Sequence, residues 1–218
     1  MSIKIQTTDD GSNTLFLTEM NETYHSKFGA KTESEHVFLA AGFNAFKQSS
    51  INILEVGMGT GLNVMLTYLQ AQFAKKEVYY ETIEKFPLQT DVFNLLNYAK
   101  DVLEQEIFDQ IHQSEWEKSV KLGTSFVLKK RKTDLLDYQS DTQFDLIYFD
   151  AFDPAKQPEL WTEKVFENMY KLLNNNGILV TYSAKGVVRR AMQSAGFIVE
   201  RLPGPPGKRE MMRARKEV

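Results

Sequence analysis

Three glycines, Gly57, Gly59 and Gly61, follow the apolar run 51–56 and precede residues 62–73, whose apolar positions have helical spacing. A short apolar run that ends at glycines is typical of a parallel strand buried on both faces. Glycine after such a strand allows a sharp turn and lets a ligand approach the backbone closely. The feature therefore predicts an α/β sheet whose first strand-to-helix turn faces a ligand.

The same alternation of strand-like and helix-like segments continues along the chain. Further strands are predicted at 78–83, 125–130, 144–149, 177–182, 197–202 and 210–214, and further helices at 88–98, 102–112, 158–169 and 184–194. Such alternation predicts a Rossmann-like, mostly parallel sheet with helices on both faces. The last two strands are joined by a loop, so we expect seven strands in all, with an antiparallel pair at the C-terminal edge.

Residues 1–48 are predicted to be an appendage packed on a main domain of residues 49–218. Residues 3–17 predict a small hairpin, and the capping pattern Thr32-x-x-Glu35 predicts the start of a helix. A segment this short rarely holds a core of its own, so we expect the whole chain to be one structural unit.

Composition excludes several kinds of site and partner. The chain has no cysteine, which excludes disulfides, thiolate zinc sites and cysteine nucleophiles. Its three histidines are scattered, without a second ligand at metal spacing, so we expect no metal. No apolar stretch has the length of a membrane span and the first residues lack an apolar signal core, so we expect no membrane partner and a cytoplasmic location.

The net charge of −3 is unevenly distributed. Residues 184–218 contain nine Lys or Arg against three Asp or Glu, so this segment carries +6 and the remainder −9. A basic end can bind a polyanion such as nucleic acid, but on charge alone a solvated surface is the commoner explanation.

The spacing of the glycines distinguishes two classes of nucleotide-binding turn. The dinucleotide fingerprint needs a glycine three residues beyond its second glycine, where this chain has Leu62. The pattern Glu55-x-Gly-x-Gly-x-Gly61 instead resembles the first motif of S-adenosylmethionine-dependent methyltransferases; a simple tight turn is the alternative. Glu84 ends the next strand, where a carboxylate can accept hydrogen bonds from both ribose hydroxyls of a nucleoside.

Two aspartates follow later strands. Asp134 can accept a hydrogen bond from an adenine amino group, or it can cap a short helix over residues 135–138. Asp150 ends the strand 144–149, next to the point where ligands bind in open α/β sheets. Folding does not need an acid at that point, so we expect Asp150 to be functional.

Longer motifs resemble one family. The specific ones are Asp150-Ala-Phe-Asp-Pro-Ala-Lys-Gln-Pro-Glu-Leu-Trp161 and Glu84-Lys-Phe-Pro-Leu88, joined by Tyr24-His-Ser26, Gly57-Met-Gly-Thr-Gly-Leu-Asn63, Val188-Arg-Arg190 and Gly207-Lys-Arg-Glu-Met211. Together they resemble the methyltransferase domain of the bifunctional tRNA 5-methylaminomethyl-2-thiouridine biosynthesis proteins. The sequence ends where that family's oxidase domain would begin, so a stand-alone form is expected. Asp153 departs from the family's pattern, and residues 99–124 match none of its motifs.

The resemblance implies a class I S-adenosylmethionine-dependent methyltransferase acting on the aminomethyl group of 5-aminomethyl-2-thiouridine at the tRNA wobble position, with Asp150 as the catalytic residue. The cofactor-binding residues would be Glu55, Gly57, Met58, Gly59, Gly61, Asn63, Glu84, Lys85, Asp134 and Asp150. The substrate-binding residues would be Tyr24, Ser26, Phe152, Pro154, Lys156 and Arg209. tRNA would bind the basic C-terminal surface, and separate enzymes of the same wobble-uridine pathway would be further partners.

Three alternatives stay open at this point. An aminopropyltransferase of the spermidine synthase type would use decarboxylated S-adenosylmethionine and an aspartate at the position of Asp150, but it would have no use for a basic end. A non-catalytic nucleoside-binding or tRNA-binding module would not need the Asp150 loop. A nicotinamide-dependent dehydrogenase is disfavoured by Leu62.

Overall fold

The N-terminal segment forms a small sheet followed by short helices. The structure, a computed structural model, describes residues 2–217. Antiparallel strands β1 (Ile3–Thr7), β2 (Asn13–Leu17) and β3 (Glu22–Thr23) form the sheet. Helix α1 (Ala30–Ser34) continues as a π-helical turn at Glu35–Ala40, and a 3-10 turn follows at Phe43–Ala45.

The predicted hairpin is confirmed, whereas the predicted helix start at Thr32 is wrong. Helix α1 begins at Ala30, and Thr32 lies inside its first turn. The backbone N–H and the hydroxyl of Thr32 both donate to Asp10 Oδ2, each over 3.0 Å. The carboxylate of Asp10, from the hairpin turn, thus satisfies a free N–H of the helix start, which the local sequence could not indicate.

The main sheet has eight strands. They are β4 (Ser50–Val56), β5 (Glu77–Ile83), β6 (Ser119–Leu122), β7 (Phe126–Arg131), β8 (Phe144–Phe149), β9 (Leu173–Thr181), β10 (Ile198–Pro203) and β11 (Glu210–Arg215). Their order is β10-β11-β9-β8-β4-β5-β7-β6. The five strands from β9 to β7 are parallel, β11 and β10 form the predicted antiparallel edge pair, and β6 is antiparallel to β7.

The Rossmann-like fold is confirmed, with one strand more than the seven predicted. The additional strand, β6, lies in the segment 99–124 that matches no motif, and its four residues include only two apolar ones. Edge strands of this kind carry no continuous apolar run, so the pattern that revealed the central strands could not reveal it.

Five helices cover the main sheet: α2 (Leu62–Ala74), α3 (Thr90–Phe93), α4 (Val102–Gln113), α5 (Glu163–Leu172) and α6 (Gly186–Ser194). The helix predicted at 88–98 shrinks to α3. Beyond it, Asn97 accepts a hydrogen bond from the backbone N–H of Asn13 (2.6 Å) and donates to the carbonyl of Gly11 (2.9 Å), so tertiary contacts replace helical ones. The helix predicted from Pro158 is a 3-10 turn at Pro158–Trp161, followed by α5.

Apolar clusters bury both faces of the sheet. One cluster joins Leu15, Val37 and Phe38 of the N-terminal segment to residues of the main sheet such as Tyr80 and Phe126. The N-terminal segment therefore packs into the core of the main sheet, and the boundary after residue 48 stays a prediction. No helix within residues 2–217 combines the length and the apolar character that crossing a bilayer requires.

Candidate active site

A cavity of about 420 Å³ opens at the carboxyl ends of β4, β5 and β8. This is the edge at which open α/β sheets bind ligands. The predicted site residues that line it are Tyr24, Ser26, Gly57, Met58, Gly59, Asn63, Glu84, Lys85, Asp134, Asp150 and Phe152. Segments that are far apart in sequence thus meet around one space.

The glycine turn is held in a conformation that favours glycine. Gly57, Gly59 and Gly61 have φ angles of 88°, 51° and 74°. The N–H of Gly57 donates to the carbonyl of Ile83 at the end of β5 (3.0 Å). A Cβ atom on Gly57 would lie 2.7 Å from the carbonyl oxygen of Asp150, which is backbone and cannot move aside cheaply. The turn is therefore packed between the ends of two strands.

Glu84 is fixed from two sides at the end of β5. Its Oε2 accepts from the N–H of Gly59 (3.0 Å), and its Oε1 accepts from the N–H of Phe86 (2.7 Å). Burial raises the pKa of Glu84, and these backbone donors oppose that rise. An oriented carboxylate on the cavity wall beside the glycine turn suits a ribose diol.

Asp134 caps a turn and lines the cavity at the same time. Its Oδ1 accepts from the N–H of Leu136 (3.0 Å), which caps the 3-10 turn Leu135–Asp137. Its Oδ2 accepts from Lys85 Nζ (2.6 Å). The two roles considered for Asp134 are therefore compatible, and its contact with an adenine stays a prediction.

Asp150 follows β8, and Asn63 at the start of α2 orients it. Asn63 Nδ2 donates to Asp150 Oδ2 over 2.9 Å. Burial raises the pKa of Asp150 to about 7, and the nearby carboxylate of Glu33 raises it too. The hydrogen bond from Asn63 and the charge of Lys208 lower it. A carboxyl group that exchanges its proton near neutral pH suits acid–base chemistry.

The loop 150–161 is anchored to its surroundings. The hydroxyl of Tyr182 donates to the carbonyl of Ala151 (2.8 Å), and Trp161 Nε1 donates to the carbonyl of Phe152 (2.9 Å). The Phe152 ring contacts the Tyr24 ring edge-on, with centroids 5.1 Å apart. The loop is therefore held at a defined distance from the N-terminal segment.

One wall of the cavity contains residues that the sequence analysis missed. Glu33 pairs with Lys208, and its Oε2 accepts from the N–H of Ser26 (2.8 Å). Lys208 Nζ lies 4.0 Å from the centroid of the Tyr182 ring. Glu33 lies outside every glycine or strand-end pattern. Tyr182 ends the strand predicted at 177–182 and Lys208 lies within the motif Gly207–Met211, so these two positions offered a signal.

Four carboxylates line this side of the cavity: Glu22, Glu33, Asp150 and Asp153, which we call the acidic wall. After burial, their charges are the causes that raise the pKa of Tyr182. Lys208 pairs with Glu33, and Lys185 pairs with Asp153. A wall with this excess of carboxylates favours a cationic or amine-bearing ligand.

Five predicted site residues do not line the cavity. Glu55 is buried beneath the glycine turn, where Thr82 Oγ1 donates to its Oε2 (2.6 Å) and burial raises its pKa to about 8. Gly61 precedes α2 and approaches His112. The remaining three are Pro154, which is buried, and Lys156 and Arg209, which are exposed.

The basic C-terminal segment is partly neutralised by its own contacts. Five of its nine cations engage acids or backbone carbonyls: Lys185, Arg201, Lys208, Arg213 and Lys216. The number of cations that remain available to a polyanion is therefore smaller than the nine counted in the sequence. Within residues 2–217, no three His, Asp or Glu side chains come together as a group that could hold a metal ion.

Comparison with known proteins identifies the fold and the family. Residues 97–217 match a family model described as S-adenosyl-L-methionine-dependent methyltransferase. The chain is 32% identical over 210 residues to the tRNA 5-methylaminomethyl-2-thiouridine biosynthesis bifunctional protein MnmC of Ectopseudomonas mendocina, covering 88% of this chain and 32% of that protein. The chain thus spans about a third of the length of the curated relatives it matches.

Two solved structures share the fold over nearly the whole chain. MNMC2 from Aquifex aeolicus has a TM-score of 0.82 and 26% identity, covering 98% of this chain and 70% of that one. Spermidine synthase from Thermotoga maritima has a TM-score of 0.61 and 15% identity, covering 98% and 68%. The second likeness concerns the fold alone.

Proposed function

This chain belongs to the S-adenosyl-L-methionine-dependent methyltransferase family, and we propose that it methylates the aminomethyl group of 5-aminomethyl-2-thiouridine at the wobble position of tRNA. The observation that carries the proposal is Asp150, oriented by Asn63 beside the glycine turn and within the acidic wall. This arrangement suits an amine acceptor. The identity of that amine rests on the similarity to MnmC.

The residues around the glycine turn fit S-adenosylmethionine. A cavity of about 420 Å³ has the size of a small cofactor site. The backbone at Gly57 and Gly59 would approach the cofactor, and the oriented carboxylate of Glu84 would bind its ribose. Asp134, with Leu135 on the same wall, would bind its adenine. When bound, the cofactor supplies a sulfonium methyl group, which is a strong electrophile.

The acceptor side prepares the amine for attack. An ammonium group has no lone pair, so a proton must leave the nitrogen before the new N–C bond forms and the S–C bond breaks. Asp150, with a pKa of about 7, accepts that proton, and the hydrogen bond from Asn63 aims its carboxylate. Tyr24 and Phe152 enclose the amine-bearing group of the acceptor. The acidic wall stabilises the positive charge of that amine before it loses its proton.

tRNA would contact the rim of the cavity through exposed cations such as Lys156 and Arg209, and separate enzymes of the same pathway would supply the aminomethyl precursor. A cytoplasmic location accords with such a substrate. Because the acidic wall also suits a polyamine, aminopropyl transfer from decarboxylated S-adenosylmethionine is the second candidate.

The proposal is tested with labelled S-adenosylmethionine and tRNA that lacks this methylation step, followed by mass spectrometry of the wobble nucleoside. Asp150→Asn is expected to lower turnover by about 100-fold or more and to keep cofactor affinity in calorimetry. Asp141→Asn, an exposed aspartate outside the cavity, is the control.

An Asp150→Asn protein that methylates at the wild-type rate would refute the role of Asp150. A wild-type protein that leaves tRNA unmodified, but transfers an aminopropyl group to putrescine, would replace the proposed reaction by the second candidate.

A further inference from the structure

An exposed phenylalanine lies beside the acidic wall. Phe28 is 52% exposed, and its ring packs directly on the backbone of Gly207. A Cβ atom on Gly207 would lie 2.0 Å from Phe28 Cδ2, and the φ of Gly207 is +81°. The turn between β10 and β11 therefore supports one part of the ring, and the rest of the ring faces solvent.

Phe28 lies at the rim of the cavity on its acceptor side. Its N–H donates to Ser26 Oγ (3.2 Å), and Ser26 lines the cavity. Its partner Gly207 directly precedes Lys208, which also lines the cavity. The ring is thus next to cavity-lining residues on two different chain segments.

Cations flank the ring at this rim, whereas carboxylates line the cavity beside it. Inside, the acidic wall is negative. Outside, the exposed cation Lys27 directly precedes Phe28, and the exposed cation Arg209 lies two residues beyond Gly207; exposed Asp9 lies beside Lys27, where its N–H donates to the Lys27 carbonyl. Lys27 and Arg209 can each pair with a phosphate at the rim, whereas the acidic wall repels phosphates and attracts a cationic group on a base. This order of charges suits a nucleic acid that inserts one nucleoside and keeps its backbone outside.

We propose that Phe28 is a stacking platform for the nucleobase adjacent to the acceptor nucleoside in a single-stranded RNA loop. Exposed aromatic rings flanked by cations bind single-stranded RNA by stacking on bases and pairing with phosphates. A paired base would not present its face to the ring, so the platform selects an unpaired loop. The inference rests on the proposed function, because it takes the acceptor to be RNA.

The test measures binding of a fluorescent single-stranded RNA heptamer with the sequence of an anticodon loop, by anisotropy at low salt. Phe28→Ala is expected to weaken binding between about 5-fold and about 100-fold, the range of one aromatic–base stack. Phe28→Trp is expected to retain binding. Phe73→Ala removes an 84% exposed phenylalanine from α2 and is expected to leave affinity unchanged.

A second heptamer, abasic at the position next to the wobble nucleotide, separates stacking from a structural effect. Wild-type protein is expected to bind it as weakly as Phe28→Ala binds the complete heptamer. The proposal would be overturned if Phe28→Ala bound the complete heptamer as tightly as wild type does. It would also be overturned if Phe28→Ala weakened binding of the complete and the abasic heptamer by the same factor. Methyl transfer to RNA is scored separately: stacking on Phe28 without methyl transfer would remove the proposed acceptor and retain the platform.

Discussion

Replacing Glu55 by glutamine is expected to stabilise the protein at neutral pH, with a gain that grows as pH rises. Glu55 is fully buried on β4, between Thr82 of β5 and Tyr148 of β8 in the sheet register. Burial raises its pKa from 4.5 to about 8; the hydrogen bond from Thr82 opposes this rise, and the charge of Asp150 adds to it. The folded protein therefore keeps the carboxyl proton where the unfolded chain has lost it.

The size of the effect follows from the difference between the pKa of Glu55 in the folded and in the unfolded protein. A pKa of about 8 against 4.5 corresponds to roughly 5 kcal/mol, because each pKa unit equals about 1.4 kcal/mol. The folded state binds the proton more tightly, so the free energy of unfolding falls as pH rises between about 4.5 and about 8. At pH 7 the wild type has lost roughly 3 kcal/mol of its free energy of unfolding through Glu55. The variant loses none of it, because glutamine cannot ionise.

The assay is urea unfolding of both proteins between about pH 5 and about pH 8. The quantity of interest is the change with pH of the difference in unfolding free energy, variant minus wild type, because any constant effect of the amide cancels in that change. Asp150 titrates in both proteins, so its contribution largely cancels. A difference that stays flat or falls with pH would refute the reasoning.

A control and a second readout complete the test. Glu81→Gln removes an equally buried carboxylate that pairs with Arg131 (3.2 Å) and accepts from the Tyr138 hydroxyl (3.0 Å), so it is expected to destabilise. Glu55→Gln is expected to keep cofactor affinity, because Glu55 does not line the cavity. A direct cofactor contact by Glu55 predicts a loss of affinity instead.

Three further predictions concern the site and its support. Asn63→Leu removes the 2.9 Å hydrogen bond that lowers the pKa of Asp150. The pH at which turnover rises is therefore expected to increase by about one to two units. An unchanged pH–rate profile would count against Asp150 as the titrating group. Gly57→Ala is expected to weaken cofactor binding by about 10-fold or more in calorimetry. Gly11→Ala is the control, because Gly11 has a similar φ (+80°) but a Cβ there would meet nothing within 4 Å. An equal loss of cofactor affinity in the two variants would contradict the role of the contact between Gly57 and the Asp150 carbonyl. Lys130→Met is expected to cost about 1–3 kcal/mol in urea unfolding, because the buried Nζ donates to two carbonyls in the last turn of α4 (2.9 and 2.8 Å); wild-type stability would show that these carbonyls need no donor.

The cofactor half of the site was predictable because its signals are local. The glycine turn, Glu84 and Asp150 each follow a buried apolar strand directly, so placing the strands in one parallel sheet brings all three to one edge. Asn63 was found through its motif, and the structure explains that choice by its contact with Asp150.

The acceptor half could not be predicted from periodicity. Glu33 lies in a short helix and Lys208 in a turn 175 residues later, yet they form an ion pair on the same wall. Apolar spacing predicts which face of a segment is buried, but not which distant loops meet. The same limit applies to α3, where Asn97 ends the helix by bonding to the hairpin turn.

The contacts that hold the acidic wall in place join segments near the two ends of the described chain. Besides the Glu33–Lys208 pair, His36 Nε2 donates to the carbonyl of Pro203 (2.8 Å), over a separation of 167 residues. Contacts of such high sequence separation carry the largest loop-closure entropy. Hydrogen exchange should therefore find this wall opening before the central strands, in a partly unfolded state that still holds the glycine turn. Such a state would bind the cofactor but not the acceptor. The difference in local stability between the glycine turn and the acidic wall would then place cofactor binding before acceptor binding.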